Sequence, residues 1–270
     1  MKKLITSLLI LILSAGFLTN CKKDKGDPPV LPPQESMVID FSNFTLDTKS
    51  ANIVTDQKGT NNGNFVFAAT VAGFWNIVLA TTLAIPVLTF KQAIDQDPVY
   101  LDDKTWQWSY STTIGSIEYK AKLKGQIRSS DVLWKMYITK SGDNGFTDFL
   151  WFEGTSRLDA TSGQWTLYES NASPVAFLQI DWTKSGTSVS TIKYSLVKND
   201  SFKDSYIEYG TATGTYDRYY TIHYYNGTKF SDVNIKWNKA IHNGTVQSAD
   251  YLGDNSWYCW DTNKVNAVCP

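Results

Sequence analysis

Apolar and polar residues alternate along almost the whole chain from Thr105 onward. Within residues 117–124, apolar side chains at the odd positions are separated by Glu118 and three lysines, which is the pattern of a strand with one dry and one wet face. The same alternation predicts strands at 106–110, 117–124, 132–140, 148–158, 163–170, 175–184, 189–198, 205–212, 216–225, 230–239 and 244–251.

Turn-forming residues separate these runs. Asn226-Gly227 and Asn243-Gly244 are the strongest hairpin signals, because Asn-Gly accepts the positive φ angles of a tight two-residue turn. Regular spacing of strands and turns predicts an antiparallel meander. A sheet of about 10–11 strands seldom stays flat. We therefore expect a mainly β fold, curled into an open or closed barrel.

One stretch departs from this pattern: no charged residue lies between Lys58 and Lys91. As a helix it is long enough to cross a membrane. Pro86 predicts a break, giving one helix at 66–84 and a second at 86–94, within an overall helical region 65–94. Asn64 is the expected N-cap. A helix that is apolar all round must be enclosed, and we predict that the curled sheet encloses it, with a membrane span as the alternative.

The segments before this helix are of two kinds. Residues 21–35 are charged and then proline-rich, which predicts an extended, unstructured tether. Residues 36–46 contain a short apolar run that predicts one strand, and residues 47–63 are polar and predict a loop. We expect residues 36–270 to form a single β-rich domain.

Charge and length exclude some classes of protein. The 270 residues carry 25 basic and 26 acidic side chains, a balance that argues against nucleic acid as a partner. Ten tryptophans and 15 tyrosines suit large pleated surfaces or the walls of a binding site.

The N-terminus has the features of an export signal. Lys2 and Lys3 precede an apolar run too short to span a membrane comfortably. The following Leu18-Thr19-Asn20-Cys21 resembles the lipobox of bacterial lipoproteins, although Asn20 stands where Gly or Ala is usual. The resemblance implies a signal peptide at 1–20, diacylation (palmitate) of Cys21, and anchoring in the outer membrane of the bacterial cell envelope. An ordinary secretory signal and an uncleaved anchor are the alternatives.

The two remaining cysteines, Cys259 and Cys269, lie close to the C-terminus. In an exported protein such a pair predicts a disulfide. A zinc site is the weaker interpretation, because two cysteines without a nearby histidine do not complete a ligand set.

Catalytic signals are sparse. The two histidines, His223 and His242, fall on a strand and before a turn, and no nucleophile elbow, zinc-protease motif or phosphate-binding loop is present. Glu153, Asp181 and Glu208 lie in strand interiors, where two facing carboxylates could serve a glycosidase, but solvent-facing alternation also explains them. We therefore predict no catalytic residue, metal or cofactor.

Four tryptophans on successive strands are the candidate ligand-facing residues: Trp134, Trp151, Trp165 and Trp182. They could line one surface that binds a lipid or a sugar, and core packing is the alternative.

The predicted architecture, over residues 64–251, resembles the open barrels of Lol-type lipoprotein carriers, in which helices line a half-closed antiparallel sheet. The tail NSWYCWDTNKVNAVC resembles tails of uncharacterised Gram-negative envelope lipoproteins. These resemblances imply a non-enzymatic envelope lipoprotein that binds an apolar ligand or a protein partner through a curved sheet. A glycan-binding lipoprotein with exposed tryptophans and a hydrolase with strand carboxylates are the alternatives.

Overall fold

The computed structural model describes residues 25–45, 61–93 and 95–270. Within them, one antiparallel sheet of 14 strands follows the order of the chain. The strands are β1 (Val99–Tyr100), β2 (Thr105–Ile114), β3 (Ile117–Ile127), β4 (Asp131–Lys140), β5 (Phe146–Arg157), β6 (Ser162–Tyr168), β7 (Ala176–Ser185), β8 (Ser188–Leu196), β9 (Tyr206–Thr211), β10 (Arg218–Tyr225), β11 (Phe230–Trp237), β12 (Gly244–Gln247), β13 (Tyr258–Trp260) and β14 (Asn266–Ala267).

The predicted mainly β meander is confirmed, and the sheet is open. Eleven predicted strands correspond to β2 through β12. The additional strands, β1, β13 and β14, are two or three residues long, too short to show alternation. In the described part of the chain the terminal strands β1 and β14 each pair with a single neighbour, so the curled sheet does not close into a barrel.

One long helix, α1 (Gly63–Ala93), replaces the two helices predicted around Pro86. Its 31 residues span about 46 Å. An internal proline costs a helix about 3 kcal/mol. Leu83, Pro86 and Phe90 are all buried along one side of α1. We attribute the continuity of the helix to this packing, which offsets the lost hydrogen bond.

Helix α1 crosses the concave face of the sheet from one end to the other. Its first turns pack against β12, β13 and β14, and it also packs against β2 and β3 near the opposite edge. Toward its C-terminal end, the Phe90 ring lies 5.4 Å from the Trp165 ring of β6. The side of α1 that faces the sheet includes both small and large apolar residues: Phe65, Ala68, Ala69, Ala72, Trp75, Leu79, Leu83, Phe90 and Ala93.

The sheet does not enclose α1, contrary to the sequence expectation. In its most apolar 18-residue window only 28% of the residues are buried, and Phe74 and Ile77 are 57% and 69% exposed. By length and composition, α1 is the one helix of the described residues that could cross a membrane. The open sheet covers one side of the helix and leaves an apolar side free.

The strand predicted at 36–46 is wrong for the described residues 36–45. This part of the chain forms two short 3-10 turns, Gln34–Met37 and Ser42–Phe44, and lies across the concave face beside α1. Its contacts are with inward side chains rather than a strand edge. Trp165 Nε1 donates to Ser36 Oγ (3.2 Å), and the Tyr220 hydroxyl donates to the Asp40 carbonyl (2.7 Å). The sheet is therefore covered by α1 together with this segment.

The proline-rich stretch belongs partly to the packed domain. Residues 25–33 have no helix or strand, in line with an extended conformation, but Pro29 and Pro32 are buried. Pro29 lies over Gly125 of β3. Packing therefore extends back at least to Pro29 instead of beginning at residue 36. The predicted signal peptide 1–20, Cys21 and residues 47–60 of the predicted loop lie outside the described residues.

Glycines opposite tryptophans allow the strands to bury large rings on the concave face. Gly154 of β5 pairs with both Trp134 and Trp165, and Gly163 of β6 pairs with Trp182. A Cβ atom at Gly154 would lie 2.6 Å from Trp165 Cε3, and one at Gly163 would lie 2.7 Å from Trp182 Cζ2. The indole rings thus occupy the space that a side chain on the neighbouring strand would need.

We expect Gly154→Ala to destabilise the protein by about 1–3 kcal/mol, because the added methyl group would overlap the Gln164 carbonyl oxygen and meet the buried Trp165 ring at 2.6 Å. Urea unfolding followed by tryptophan fluorescence measures this change. Gly73→Ala is the matched control, since nothing lies within 4 Å of a Cβ at this helical glycine. The control should gain about 0.5–1 kcal/mol of stability, because glycine within a helix loses more conformational freedom on folding than alanine does. Equal stability of the two variants would contradict the ring-over-glycine packing.

The C-terminal hairpin holds the start of α1. The predicted Cys259–Cys269 disulfide is confirmed, with a Cα–Cα distance of 5.2 Å. Asn64 Nδ2 donates to the Cys259 carbonyl (2.8 Å), and the Asn64 amide donates to Asn266 Oδ1 (3.0 Å). Asn64 is therefore not the N-cap. The first helical hydrogen bond runs from the Val66 amide to the Asn62 carbonyl (3.0 Å).

We expect the double variant Cys259→Ser/Cys269→Ser to lose about 3 kcal/mol of stability, because the crosslink restricts the unfolded chain. The midpoint temperature of thermal unfolding should fall by roughly 6–12 °C for a domain of this size. Amide hydrogen exchange should also become faster in the first turn of α1, since the hairpin that receives Asn64 is released. Unchanged exchange at residues 64–68 would show that the disulfide does not support the helix.

Candidate functional site

The free side of α1 is an apolar stripe, which we call the helix ridge: Phe74, Ile77, Thr81 and Ala84. These positions are spaced by three or four residues, so they lie on one face of the helix, and all four are exposed. A surface helix of a water-soluble protein normally places polar residues there. A contiguous exposed apolar surface usually marks an interaction site.

Threonines make the free side of α1 less polar than its sequence suggests. The hydroxyls of Thr70, Thr81 and Thr82 donate to the carbonyls four residues earlier in the helix, at 2.8, 2.8 and 2.9 Å. Such hydroxyls do not require water as a partner. Asn76 is the exposed polar side chain beside the ridge, and the helix has no charge before Lys91.

On one side of the ridge, α1 and the end of the sheet form the rim groove: Phe74, Trp75, Val78, Leu196, Phe202, Ser205, Tyr224, Tyr225, Asn226 and Gly227. Its volume is about 490 Å³. Past Phe74 and Tyr224 the surface continues into a smaller cavity of about 240 Å³, bounded by Phe67 and Tyr251. The Tyr224 hydroxyl donates to that of Tyr251, so the wall presents little free polarity. Burial, followed by this hydrogen bond, raises the pKa of Tyr224 and keeps it neutral.

On the other side of the ridge, α1 and the N-terminal segment (residues 34–45) form the segment groove, which is about 450 Å³ in volume. Met37, Ile39 and Leu83 are among its apolar walls, and Lys91 also lines it. Tyr194 belongs to this groove and is fully buried. Burial raises the pKa of Tyr194 well above 10, so the hydroxyl keeps its proton. That hydroxyl donates to no acceptor among the described residues.

The two grooves have the size and character of ligand sites. Sites for small molecules usually measure about 300–1,000 Å³, with apolar walls and few polar groups. Both grooves meet this description, and the ridge separates them. Two apolar grooves therefore flank α1 on the concave side of the sheet.

The four predicted tryptophans do not form one exposed surface. Trp134, Trp165 and Trp182 share the concave side and are 0%, 0% and 2% exposed. Their rings pack in the core, as the alternative interpretation proposed. Trp151 lies at an irregularity in the β4–β5 pairing and is half-buried beside Phe149, with ring centres 5.8 Å apart.

The three strand carboxylates face outward, on the side of the sheet opposite α1. Glu153 accepts a hydrogen bond from the Tyr168 hydroxyl (2.6 Å), and this bond raises the pKa of Tyr168 to about 12. Asp181 and Glu208 line one shallow polar groove of about 480 Å³. Lys193 lies between them, directly opposite both in the strand pairing.

These carboxylates are engaged by neighbouring side chains. Asp181 accepts from Gln164 Nε2 (2.7 Å) and Gln179 Nε2 (2.8 Å), one amide on each oxygen. Glu208 accepts from the Tyr219 hydroxyl (3.0 Å). The contacts match the solvent-facing alternation of strand residues. The hydrolase alternative stays a prediction.

Both histidines also make structural contacts. His223 Nδ1 lies 2.7 Å from Asp232 Oδ1, and its ring stacks on Phe230 with centres 4.6 Å apart. His242 Nδ1 donates to Asn43 Oδ1 of the N-terminal segment. In residues 25–45, 61–93 and 95–270, no group of three or more His, Cys, Asp or Glu side chains is placed to hold a metal ion.

Comparison with known proteins adds no relative: no family model matches the chain, and no curated protein or solved structure is significantly similar to it. The resemblance to Lol-type carriers therefore stays a prediction of architecture.

Sequence reasoning missed most of the groove residues. Tyr194, Leu196, Phe202 and Tyr224 come from distant strands and loops, and only strand pairing brings them near α1. The sequence alone also does not identify the helix ridge, because apolar residues occur on every side of α1. Only the packing of the sheet against the opposite side shows which residues remain exposed.

Proposed function

We propose that the chain is a non-enzymatic lipoprotein of the bacterial outer membrane that binds an apolar ligand in the grooves beside α1. The observation that carries this proposal is the uncovered apolar side of the helix, with Phe74 and Ile77 exposed between two apolar grooves. Leaving such side chains in water forfeits about 25 cal/mol for each Å² that could be buried. A bound acyl chain or similar molecule would recover that free energy.

The chemistry of the walls favours an elongated, weakly polar ligand. The rim groove presents aromatic and aliphatic surface, and the hydroxyl of its Tyr224 donates to Tyr251 of the adjoining cavity. The segment groove adds the unused proton of Tyr194 and the cation of Lys91. An acyl chain with a small acceptor group could pack along the apolar walls and accept a hydrogen bond from Tyr194 or Lys91. A protein partner on the same ridge is the second form of binding that this surface supports.

The glycan-binding alternative loses its main support. It needs exposed tryptophans in a row, whereas Trp134, Trp165 and Trp182 are buried. Of these residues, Trp182 borders the polar groove around Asp181, but it is 2% exposed and offers no open ring face for stacking.

We expect organic extracts of the purified domain, residues 25–270 secreted to the periplasm, to contain lipid in stoichiometric amounts when analysed by mass spectrometry. This version of the chain retains Pro29 and Pro32, which pack on the sheet. A folded monomer without co-purified lipid that also fails to bind added cis-parinaric acid would contradict a ligand-binding role.

We expect Val78→Asp to weaken binding of cis-parinaric acid at least about tenfold, because a carboxylate in the rim groove must lose water or repel the apolar chain. Fluorescence titration of the domain measures this effect. Thr81→Asp is the matched control: it adds the same charge to the same helix but lies on the ridge, outside both grooves. Equal loss in the two variants would indicate a general effect on the helix.

Anchorage is tested separately. We expect Cys21→Ser to abolish incorporation of radiolabelled palmitate, because the predicted acylation uses the Cys21 thiol. The Cys259→Ser/Cys269→Ser variant should still incorporate the label, since these cysteines form the disulfide. Palmitate incorporation by the Cys21→Ser protein would overturn the lipoprotein assignment.

A further inference from the structure

We propose that the helix ridge rests on the bilayer that carries the lipid anchor, so that the grooves open directly onto the acyl layer. This inference rests on the anchorage at Cys21 in the proposed function, and it names the partner of the apolar surface. Its support is the position at which the tether leaves the packed domain, the reach of the remaining chain, and the contrast between the two sides of the sheet.

The tether leaves the domain on the side that bears α1. Pro29 lies over Gly125, at 3.1 Å from the position that a Cβ atom there would occupy. Gly125 is directly opposite Trp106 and Trp134, whose side chains are buried on the concave side. Since directly opposite residues point to the same side of a sheet, Pro29 lies on the concave side too.

The tether stays on this side as it approaches the edge of the sheet. Lys25 Nζ lies 5.7 Å from the centre of the Tyr100 ring. Tyr100 pairs with Trp106, and their rings pack against each other at 5.2 Å. The first described residue is therefore placed at the β1 edge, beside residues of the concave side.

The remaining chain is short. Three residues lie between Lys25 and Cys21, which makes four steps along the chain, and an extended chain covers at most about 3.3–3.6 Å per step, or roughly 14 Å in total. A domain of this size has a radius of gyration on the order of 17 Å. Acyl chains on Cys21 would therefore hold the concave side of the domain against the membrane surface instead of at the end of a long stalk.

The other side of the sheet offers a poor alternative. Two of its lysines form ion pairs, Lys122 with Asp148 (3.0 Å) and Lys135 with Glu153 (3.7 Å), and Lys124, Lys193 and Lys236 lie over aromatic rings. Asp181 and Glu208 flank Lys193 on this side and oppose attraction to anionic head groups. The concave side instead presents Phe74 and Ile77 on a helix that carries no charge before Lys91. Apolar side chains on a helix that lies in the plane of the interface typically enter the bilayer by about 5–10 Å.

The test uses the full acylated protein reconstituted on phosphatidylcholine vesicles. Acylation of Cys21 and the Cys259–Cys269 disulfide leave no other free thiol, so Ile77→Cys can be labelled selectively with an environment-sensitive fluorophore. Ile77 is 69% exposed, and a label there does not disturb the core. Lys120→Cys, on the opposite side of the sheet and 62% exposed at the side chain, is the matched control.

We expect a blue shift of the label at residue 77 on vesicles, with quenching by lipids that carry a nitroxide near the head group. The label at residue 120 should keep its emission in water and remain unquenched. Equal, water-like emission at both positions on vesicle-bound protein would overturn the orientation and leave ligand binding intact. Quenching at residue 77 that is strongest at the bilayer centre would indicate a spanning helix and also overturn it.

Failure of the anchorage gives a different result. A protein that does not sediment with the vesicles lacks the lipid anchor, and both the outer-membrane assignment and the proposed orientation then fall. Binding of cis-parinaric acid to residues 25–270 does not depend on the anchor. The two measurements therefore separate loss of anchorage, loss of orientation and loss of ligand binding.

Discussion

The structure depends on covering the concave face of a wide open sheet. In the part of the chain that the structure describes, 14 strands turn an almost continuous apolar surface inward, and their sheet does not close to bury that surface against itself. Two other parts of the chain cover it, helix α1 and the N-terminal segment around Met37. Both come before the sheet in sequence. The cover and the sheet are therefore held together by contacts between residues far apart in the sequence.

The two covering elements are fixed in different ways. Asn64 at the start of α1 bonds to the C-terminal hairpin that the disulfide closes. The N-terminal segment is held by side chains that rise from the sheet, such as Trp165 bonding to Ser36. Glycines beneath the indole rings let the sheet accommodate this bulk. The middle of α1 has the least cover, and this is where the ridge and the grooves lie.

Sequence reasoning predicted the sheet well because alternation is a local property of each strand. It failed where the deciding contacts are long-range. Pro86 predicts a break, but burial of its neighbours sustains the helix. The short apolar run in residues 36–45 predicts a strand. In the fold this segment lies over the concave face of the sheet, where it meets side chains and has no strand edge to pair with. Gly154 carries no sequence signal of its own, and only the strand pairing shows that it lies opposite Trp165.

The candidate site was the least predictable feature, for the same reason. Its walls combine Phe74 of α1 with Tyr224 of β10 and Phe202 of a loop, and strand register alone brings them together. Of the tryptophans predicted to face a ligand, Trp134, Trp165 and Trp182 are instead buried in the core of the concave side. Aromatic residues on alternating strands indicate which side of a sheet is buried, but they do not distinguish a core from a binding surface.

The threonines of α1 link the fold to the proposed membrane contact. A helix surface that faces both water and lipid needs polar groups that are satisfied in either environment. The hydroxyl of Thr81 bonds to the Ile77 carbonyl, so it requires no partner from outside the helix. Asparagine or serine clusters would favour water, and unsatisfied polar groups in hydrocarbon cost several kcal/mol each. Buried Thr89 makes the same bond to the Ile85 carbonyl (2.8 Å), so this arrangement satisfies a hydroxyl in the core and on the ridge alike. The proposed contact with a bilayer therefore leaves no threonine hydroxyl of the ridge without a partner.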